Sequence, residues 1–298
     1  MCLLYSEPGA GSDLASLQTR AERDGDEFVV TGQKVWTSGG QSAEYGMLVA
    51  RTDWDVPKHQ GISFFFFPMK QPGVEVRPIR QITRESHFNG VFIDAARMPA
   101  ENLLGELNSG WRVLQTALAY ERSVMGDVAR GPRDPTDPAD RGADRAPPPG
   151  GAGAEVDLVR LACALGCADN PVLRQMIANI YTLRTVNRRN ARRAKSQLKQ
   201  SESSPILSLG KLAMSRILHQ GAHLQGRILG AEAMLDGPDH PQAAANFLAL
   251  NAYFTSVGGG TDQIQRNIIG ERVLGLPKEP ELDRDVPFRT VNKSTVTR

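Results

Sequence analysis

Residues 5–13 read Tyr-Ser-Glu-Pro-Gly-Ala-Gly-Ser-Asp, and residues 32–39 read Gly-Gln-Lys-Val-Trp-Thr-Ser-Gly. In the first stretch, two glycines among polar residues allow the backbone to approach a ligand closely and to direct N–H groups at an anion. A simple turn explains the same pattern equally well. In the second stretch, Trp36 comes two positions before Ser38 at the end of a strand pattern. A bulky aromatic ring beside hydroxyl groups suits a planar ligand, although a single tryptophan more often belongs to a core.

The residues around these stretches predict a β-domain over residues 1–105. Short runs of alternating or continuous apolar residues are typical of strands, and turn residues such as Asp24-Gly25 and Pro72-Gly73 separate them. We expect these strands to form an antiparallel sheet. The runs cover residues 27–31, 45–50, 61–68 and 90–94.

From Gly110 onward the hydrophobic periodicity changes from that of strands to that of helices. Trp111, Leu114, Leu118, Glu121 and Met125 fall three or four positions apart, on one stripe of a helix. The pattern predicts a helical domain over residues 106–278, with a flexible Pro/Gly-rich insertion at 127–154, and a polar, frayed tail at 279–298. The predicted fold class is therefore α+β, an antiparallel β-domain followed by a C-terminal helical bundle.

Local signals mark helix ends inside the helical domain. Asn170 is a plausible N-cap with Pro171 at the first helical position, and Ser204-Pro205 predicts another helix start in the same manner. The glycines at 258–260 predict a break before a last helix.

Composition and charge exclude several classes of protein. The formal net charge of +2 is too small to indicate a nucleic-acid partner. The longest apolar run, residues 62–67, has the length of a strand and cannot span a bilayer. The first residues do not resemble a signal peptide, so we expect a cytoplasmic protein. His219 and His223 lie four apart without a third ligand nearby, and no metal site is expected.

A third stretch at residues 260–272, Gly-Thr-Asp-Gln-Ile-Gln-Arg-Asn-Ile-Ile-Gly-Glu-Arg, completes a set of motifs. In this order the three stretches resemble signature segments of the acyl-CoA dehydrogenases, and the resemblance covers roughly residues 3–276. It implies bound FAD, an acyl-CoA substrate, an electron-transfer flavoprotein as electron acceptor, and a homo- or hetero-oligomer. NAD is not expected, because no GxGxxG follows a strand.

The resemblance also implies roles for particular residues. Trp36 would pack on the flavin ring, Ser38 would lie near its N5 atom, and Ser12 would contact the phosphates or pantetheine of CoA. The implied cofactor contacts are Leu3, Tyr5, Ser6, Trp36, Ser38, Thr261 and Gln263, and the implied substrate contacts are Ser12, Arg122 and Gly259.

The catalytic base is the point at which this sequence departs from the usual pattern. Abstraction of a proton α to a thioester needs a carboxylate in a dry site and hydrogen-bond donors to the carbonyl oxygen. Most members of the family place a glutamate directly before the Gly-Thr of the last motif, where this chain has Gly259. Some members carry the base on an earlier helix, and Glu121 in the sequence Tyr-Glu-Arg matches that place. A structural ion pair, or exposure at a frayed helix end, is the alternative explanation of Glu121.

Further departures leave alternatives open. The family normally begins with a helical domain of about 100 residues, whereas this chain starts almost at the first motif, and an RxxF-type flavin contact has no clear match. We therefore expect a truncated product or one half of a heteromeric enzyme. A non-catalytic subunit that stabilises a partner, and a flavin oxidase or monooxygenase of the same fold, are the competing hypotheses.

Overall fold

A computed structural model describes residues 1–118, 156–198, 206–235, 237, 240, 244–281 and 283–291. The chain divides into two compact units, Met1–Leu118 with Glu279–Arg298 and Ala119–Lys278. Glu121, Arg122, the predicted insertion at 127–154 and the predicted helix start at Ser204-Pro205 lie outside the described residues. No helix in the part of the chain that the structure describes is long and apolar enough to cross a bilayer.

The first unit is built on a seven-stranded sheet. The strands are β1 (Cys2–Leu4), β2 (Arg20–Asp24), β3 (Glu27–Ser38), β4 (Tyr45–Arg51), β5 (Ile62–Pro68), β6 (Val74–Ile79) and β7 (Phe88–Pro99). Their order is β1-β4-β2-β3-β7-β6, with β5 paired to β4. Most pairings are antiparallel, but β4 pairs in parallel with β1 and, at a single residue pair, with β2. The predicted fold class is confirmed, whereas the expectation of an antiparallel sheet is wrong for these two pairings, because the strands involved are not joined by a hairpin.

The continuous apolar run in β5 is explained by burial on both faces of the sheet. Phe65 and Phe67 belong to one hydrophobic cluster, and Phe64 belongs to another that includes Tyr5 and Leu114. Leu114 lies on helix α1, whose described part is residues 110–118. The predicted helical stripe is therefore confirmed for residues 111–118. Leu114 is fully buried, and Trp111 and Leu118 pack on the same hydrophobic cluster.

Glycine is required where α1 begins. A Cβ atom at Gly110 would lie 2.4 Å from the backbone carbonyl carbon of Ser63 in β5. Only a residue without a side chain lets the helix start so close to the strand. Short 3₁₀ turns at Leu14–Ser16, Ala100–Asn102 and Phe288–Thr290 complete the first unit.

The expectation of a frayed tail is wrong for residues 283–291. They pack within the first unit, and Phe288 is fully buried. Phe288 covers a buried arginine, and the backbone N–H groups of Phe288 and Arg289 donate to the carbonyl oxygens of Val56 and Trp54, so this part of the tail is held in place.

The second unit is helical. Its described helices are α2 (Leu158–Ala164), α3 (Pro171–Leu198), α4 (Leu207–Leu229), α5 (Ala244–Val257) and α6 (Asp262–Arg272), with a 3₁₀ turn at Gly230–Met234. Helix α4 contacts α3, α5 and α6. Asn170 caps α3 as predicted: its side-chain oxygen accepts hydrogen bonds from the backbone N–H groups of Val172 and Leu173. The predicted break at 258–260 is also confirmed, because Gly259 and Gly260 have positive φ angles between α5 and α6.

Candidate functional site

A buried ion pair joins the first two motifs. Lys34 on β3 is fully buried, and its Nζ lies 2.8 Å from Glu7 Oε1 and 3.0 Å from the carbonyl oxygen of Tyr5. The Glu7 carboxylate also accepts hydrogen bonds from the backbone N–H groups of Gln18 (2.6 Å) and Thr19 (2.9 Å). The chain on either side of the glycine-rich stretch is thereby fixed to β3.

The surroundings of the Glu7 carboxyl favour its ionised form. Burial alone would raise the pKa of the Glu7 carboxyl, but the attraction of Lys34 and the hydrogen bonds from Lys34, Gln18 and Thr19 outweigh it and hold that pKa below its usual value. Burial lowers the pKa of the Lys34 ammonium, an effect that Glu7 partly offsets. Each charge is therefore tolerated in the interior because the other is present.

β3 carries Trp36 in an unusual backbone conformation directly after this pair. The backbone N–H of Val35 donates to the Ser6 carbonyl oxygen (2.9 Å), and the pairing of β3 with β7 then shifts register between Lys34 and Thr37. At this bulge Trp36 has a φ of 63°, in the left-handed region that costs a residue with a side chain about 1–2 kcal/mol. Backbone strain of this kind clusters at functional sites.

The bulge turns the Trp36 indole to the surface. The residue is 58% exposed, and its ring packs against that of Phe88 in a T-shaped arrangement, with centroids 6.0 Å apart. Ser38, two residues on, is also exposed. The sequence left two explanations for Trp36, a core residue or a ligand contact. Its exposure excludes a position in the hydrophobic core.

The remaining predicted contacts of the first unit are placed as follows. Leu3 on β1 is 40% exposed, whereas the Tyr5 ring is buried edge-on against Phe64. Ser6 is half-buried beside β3, and Ser12 lies exposed in the glycine-rich loop. The structure therefore brings Ser6 next to the residues around Trp36 and sets the Tyr5 side chain in the core.

In the second unit, the third motif forms α6 and the last two residues of the turn before it. The Thr261 hydroxyl oxygen caps the helix by accepting a hydrogen bond from the Ile264 backbone N–H (3.1 Å), and Gln263 is exposed on the first turn. Gly259 has a φ of 65°, and its carbonyl oxygen accepts a hydrogen bond from Gln265 Nε2 (3.1 Å). The buried Gln265 side chain thus fixes the glycine turn to the helix that follows.

A polar network, which sequence reasoning missed, connects α4, α5 and α6 beside this turn. His219 Nε2 lies 2.6 Å from Ser256 Oγ, which lies 3.0 Å from Ser215 Oγ, and Ser215 Oγ donates to Asp262 Oδ2 (2.9 Å). The Lys211 ammonium lies 3.7 Å from Asp262 Oδ1, and burial lowers its pKa, an effect that Asp262 partly offsets. Among the described residues no three His, Cys, Asp or Glu side chains are grouped to hold a metal ion.

Sequence reasoning also missed Glu7 and Lys34, although a signal was present. Lys34 lies an even number of residues after Phe28 and Val30, two buried apolar positions of β3, and so falls on the same face of a regular strand. A charged residue at a core position of a strand indicates a buried partner.

Family models match both units of the chain. A model described as "Acyl-CoA dehydrogenase, middle domain" matches residues 2–92, and one described as "Acyl-CoA dehydrogenase, C-terminal domain" matches residues 160–274. Acyl-CoA dehydrogenase IpdE1 of Mycobacterium tuberculosis is 37% identical over 287 residues, which cover 93% of this chain and 67% of that protein. Acyl-CoA dehydrogenase FadE34 of the same organism is 35% identical over 282 residues, covering 93% of this chain and 35% of that protein.

Solved structures show the same fold. A steroid ACAD, Tcur3481-Tcur3483, superposes with a TM-score of 0.76 at 27% identity, covering 93% of this chain and 68% of the other. The ChsE4-ChsE5 complex from Mycobacterium tuberculosis gives a TM-score of 0.69 at 28% identity, covering 93% of this chain and 69% of the other.

Proposed function

The chain belongs to the acyl-CoA dehydrogenase family, and we propose that it is an FAD-dependent subunit that desaturates an acyl-CoA thioester between its α and β carbons. The observation that carries the proposal is the geometry at Trp36. A strained bulge holds this indole at the surface two residues before the exposed Ser38, and the buried Glu7–Lys34 pair fixes the strand that precedes it. A fold does not expose and strain a large aromatic residue without compensation elsewhere.

Exposed residues of each unit, taken separately, support the proposal of FAD. In the first unit, the Trp36 indole offers a flat apolar face, the Ser38 hydroxyl can donate a hydrogen bond, and the backbone from Leu3 to Ser6 runs alongside. In the second unit, the Thr261 oxygen accepts from Ile264, which leaves its O–H to donate, and the Gln263 amide is exposed. FAD, when bound, supplies the acceptor for the hydride that leaves the β-carbon.

The residues of the chain that would act on the substrate are proposed as follows. Glu121, which lies outside the described residues, takes the α-proton, and a dry site would raise the pKa of such a carboxyl toward neutrality. The Gly259 backbone N–H donates to the thioester oxygen as negative charge develops there. Ser12 and Arg122 bind the CoA portion of the substrate, and their assignment rests on the family resemblance.

Partners follow from the same proposal. The reduced subunit would pass its electrons to an electron-transfer flavoprotein, and it would work as a homo- or hetero-oligomer. One solved relative is named as a complex of two proteins, ChsE4 and ChsE5, which supports the heteromeric version.

The test is to express the chain alone and with candidate partner subunits, and to examine the purified protein for flavin. We expect flavin absorbance, release of FAD on denaturation, and anaerobic bleaching by one class in a panel of acyl-CoA thioesters. Release of FMN, or no flavin in any soluble preparation, contradicts the proposal. Rapid oxygen consumption during turnover would favour the oxidase or monooxygenase hypothesis instead.

A non-catalytic subunit is the second candidate, because Gly259 occupies the position of the usual carboxylate. In that case the chain would stabilise a partner that performs the reaction. A complex in which Glu121→Gln bleaches its flavin at the parent rate would establish this alternative, because the proton would then be taken by the other subunit.

A further inference from the structure

The segment 283–291, here called the C-terminal strap, docks on the loop that follows β4. The backbone N–H of Phe288 donates to the Val56 carbonyl oxygen (2.9 Å), and that of Arg289 donates to the Trp54 carbonyl oxygen (3.0 Å). The strap lies beyond the family-model match, which ends at residue 274. It is therefore not part of the matched C-terminal domain.

Through Phe288, the strap covers a buried arginine that holds the end of the glycine-rich loop. The Arg51 guanidinium carbon lies 3.5 Å from the centroid of the Phe288 ring and 5.6 Å from that of Trp54. Arg51 is fully buried, and it donates to the carbonyl oxygens of Leu17 (3.1 Å) and Ala15 (2.6 Å). Burial lowers the pKa of Arg51 to about 10, and nearby carboxylates partly offset the effect.

A second connection runs through Lys58. Its Nζ donates to Asp13 Oδ2 at 3.1 Å and to Asp283 Oδ2 at 3.4 Å, so that one amine bridges the first motif and the strap. The Lys58 carbonyl oxygen also accepts a hydrogen bond from Arg51 Nη1 (3.1 Å). The two cations are thus linked to each other, and both connect the strap to residues 13–17.

We infer that the C-terminal strap is a positioning element that fixes residues 13–17 through Arg51 and Lys58. A cation stacked on an aromatic face is held more strongly when it is desolvated, so removal of Phe288 loosens the arginine and the loop carbonyls that it binds. The loop also carries Ser12. On the proposed function, the strap therefore sets the affinity for acyl-CoA without touching the substrate.

The experiment compares three variants of the full chain by amide hydrogen exchange. Phe288→Ala removes the aromatic cover, Asp283→Asn removes the charge that faces Lys58, and Asp285→Asn removes an exposed carboxylate of the strap as the matched control. We expect exchange at the Ser16 and Leu17 amides, which donate to Asp13 and Leu14, to rise roughly tenfold in Phe288→Ala. Asp283→Asn should give a smaller rise, and Asp285→Asn none.

Exchange at residues 13–17 that equals the parent in both Phe288→Ala and Asp283→Asn overturns the inference. A rise that extends equally to the β5 amides also overturns it, because the whole unit would then be destabilised. In an active complex, Phe288→Ala should raise KM for acyl-CoA with little change in kcat. An unchanged KM in this variant overturns the role of the strap in binding. If the parent complex shows no turnover, the proposed function fails, while the exchange comparison still decides the role of the strap.

Discussion

Replacement of Lys34 by methionine should destabilise the first unit by several kcal/mol. Lys34 and Glu7 are both buried, and their charged atoms lie 2.8 Å apart. Methionine keeps most of the volume and the unbranched shape of the lysine stem, so the change removes the cation with little new cavity. The Glu7 carboxylate would remain in the interior with only two backbone N–H donors, those of Gln18 and Thr19.

The magnitude follows from the loss of one partner of a buried pair. Such a change typically costs about 3–5 kcal/mol, because an uncompensated charge remains in a medium of low polarity. With a urea m value of about 2 kcal/mol/M, the midpoint should fall by roughly 1.5–2.5 M. Glu7→Gln in the same chain removes the remaining charge and keeps an acceptor for one of the two N–H groups, which donate to different carboxylate oxygens. The double variant should therefore recover part of the loss.

Intrinsic fluorescence is a selective probe for this measurement. All three tryptophans, Trp36, Trp54 and Trp111, belong to the first unit. Lys70→Met is the matched control, because its amine lies 3.4 Å from the Glu44 carboxylate and both side chains are mostly exposed, 67% and 73%. An exposed pair contributes at most about 1 kcal/mol, so the control should scarcely move the midpoint.

The pH dependence gives an independent check. In the parent, the folded-state pKa of Glu7 is lowered. Its contribution is therefore complete above the unfolded pKa of about 4.3 and is lost as the pH falls through the folded pKa. In Lys34→Met, burial without the lysine should raise the pKa of Glu7, so protonation relieves the penalty and the difference from the parent shrinks as the pH approaches 4. A loss below about 1 kcal/mol at neutral pH, or a double variant no more stable than Lys34→Met, would refute the reasoning.

Trp36→Gly should raise the stability of the first unit by about 1 kcal/mol, because glycine adopts a positive φ without strain, while flavin affinity falls. The control Ala95→Gly, at another left-handed position (φ 49°), should raise stability by a similar amount without changing flavin affinity. Unchanged flavin affinity in Trp36→Gly would count against a flavin site at Trp36. Asn170→Ala should lower the unfolding free energy of the helical unit by about 1 kcal/mol, since it removes an N-cap. Denaturation followed by far-UV circular dichroism measures this loss, and an unchanged unfolding free energy would contradict the capping role. Glu121→Gln should slow flavin reduction by about 10²–10⁴-fold with substrate binding retained, measured by anaerobic stopped-flow. Addition of Gly259→Glu should restore only part of that rate, because φ at Gly259 is 65° and a side chain there is strained.

The sequence by itself determined the local structure and the family. The change from period two to period 3.6 near Gly110, the Asn170 cap and the glycine break before α6 depend on residues within a few positions of one another, and each is confirmed. The motifs carry the resemblance to the acyl-CoA dehydrogenases, which the family models confirm. Glu121 as catalytic base stays a prediction.

Only the tertiary structure decided how the candidate site is held together. The Lys34–Glu7 pair joins residues 27 positions apart, and the Lys58–Asp283 contact joins residues 225 positions apart. A charged residue is buried only where another segment of the chain supplies a partner of opposite charge, because burial without that partner costs several kcal/mol. The exposure of Trp36 also depends on two separate segments. It accompanies the register shift between β3 and β7, which is set by the pairing of the two strands and not by the sequence of either strand alone.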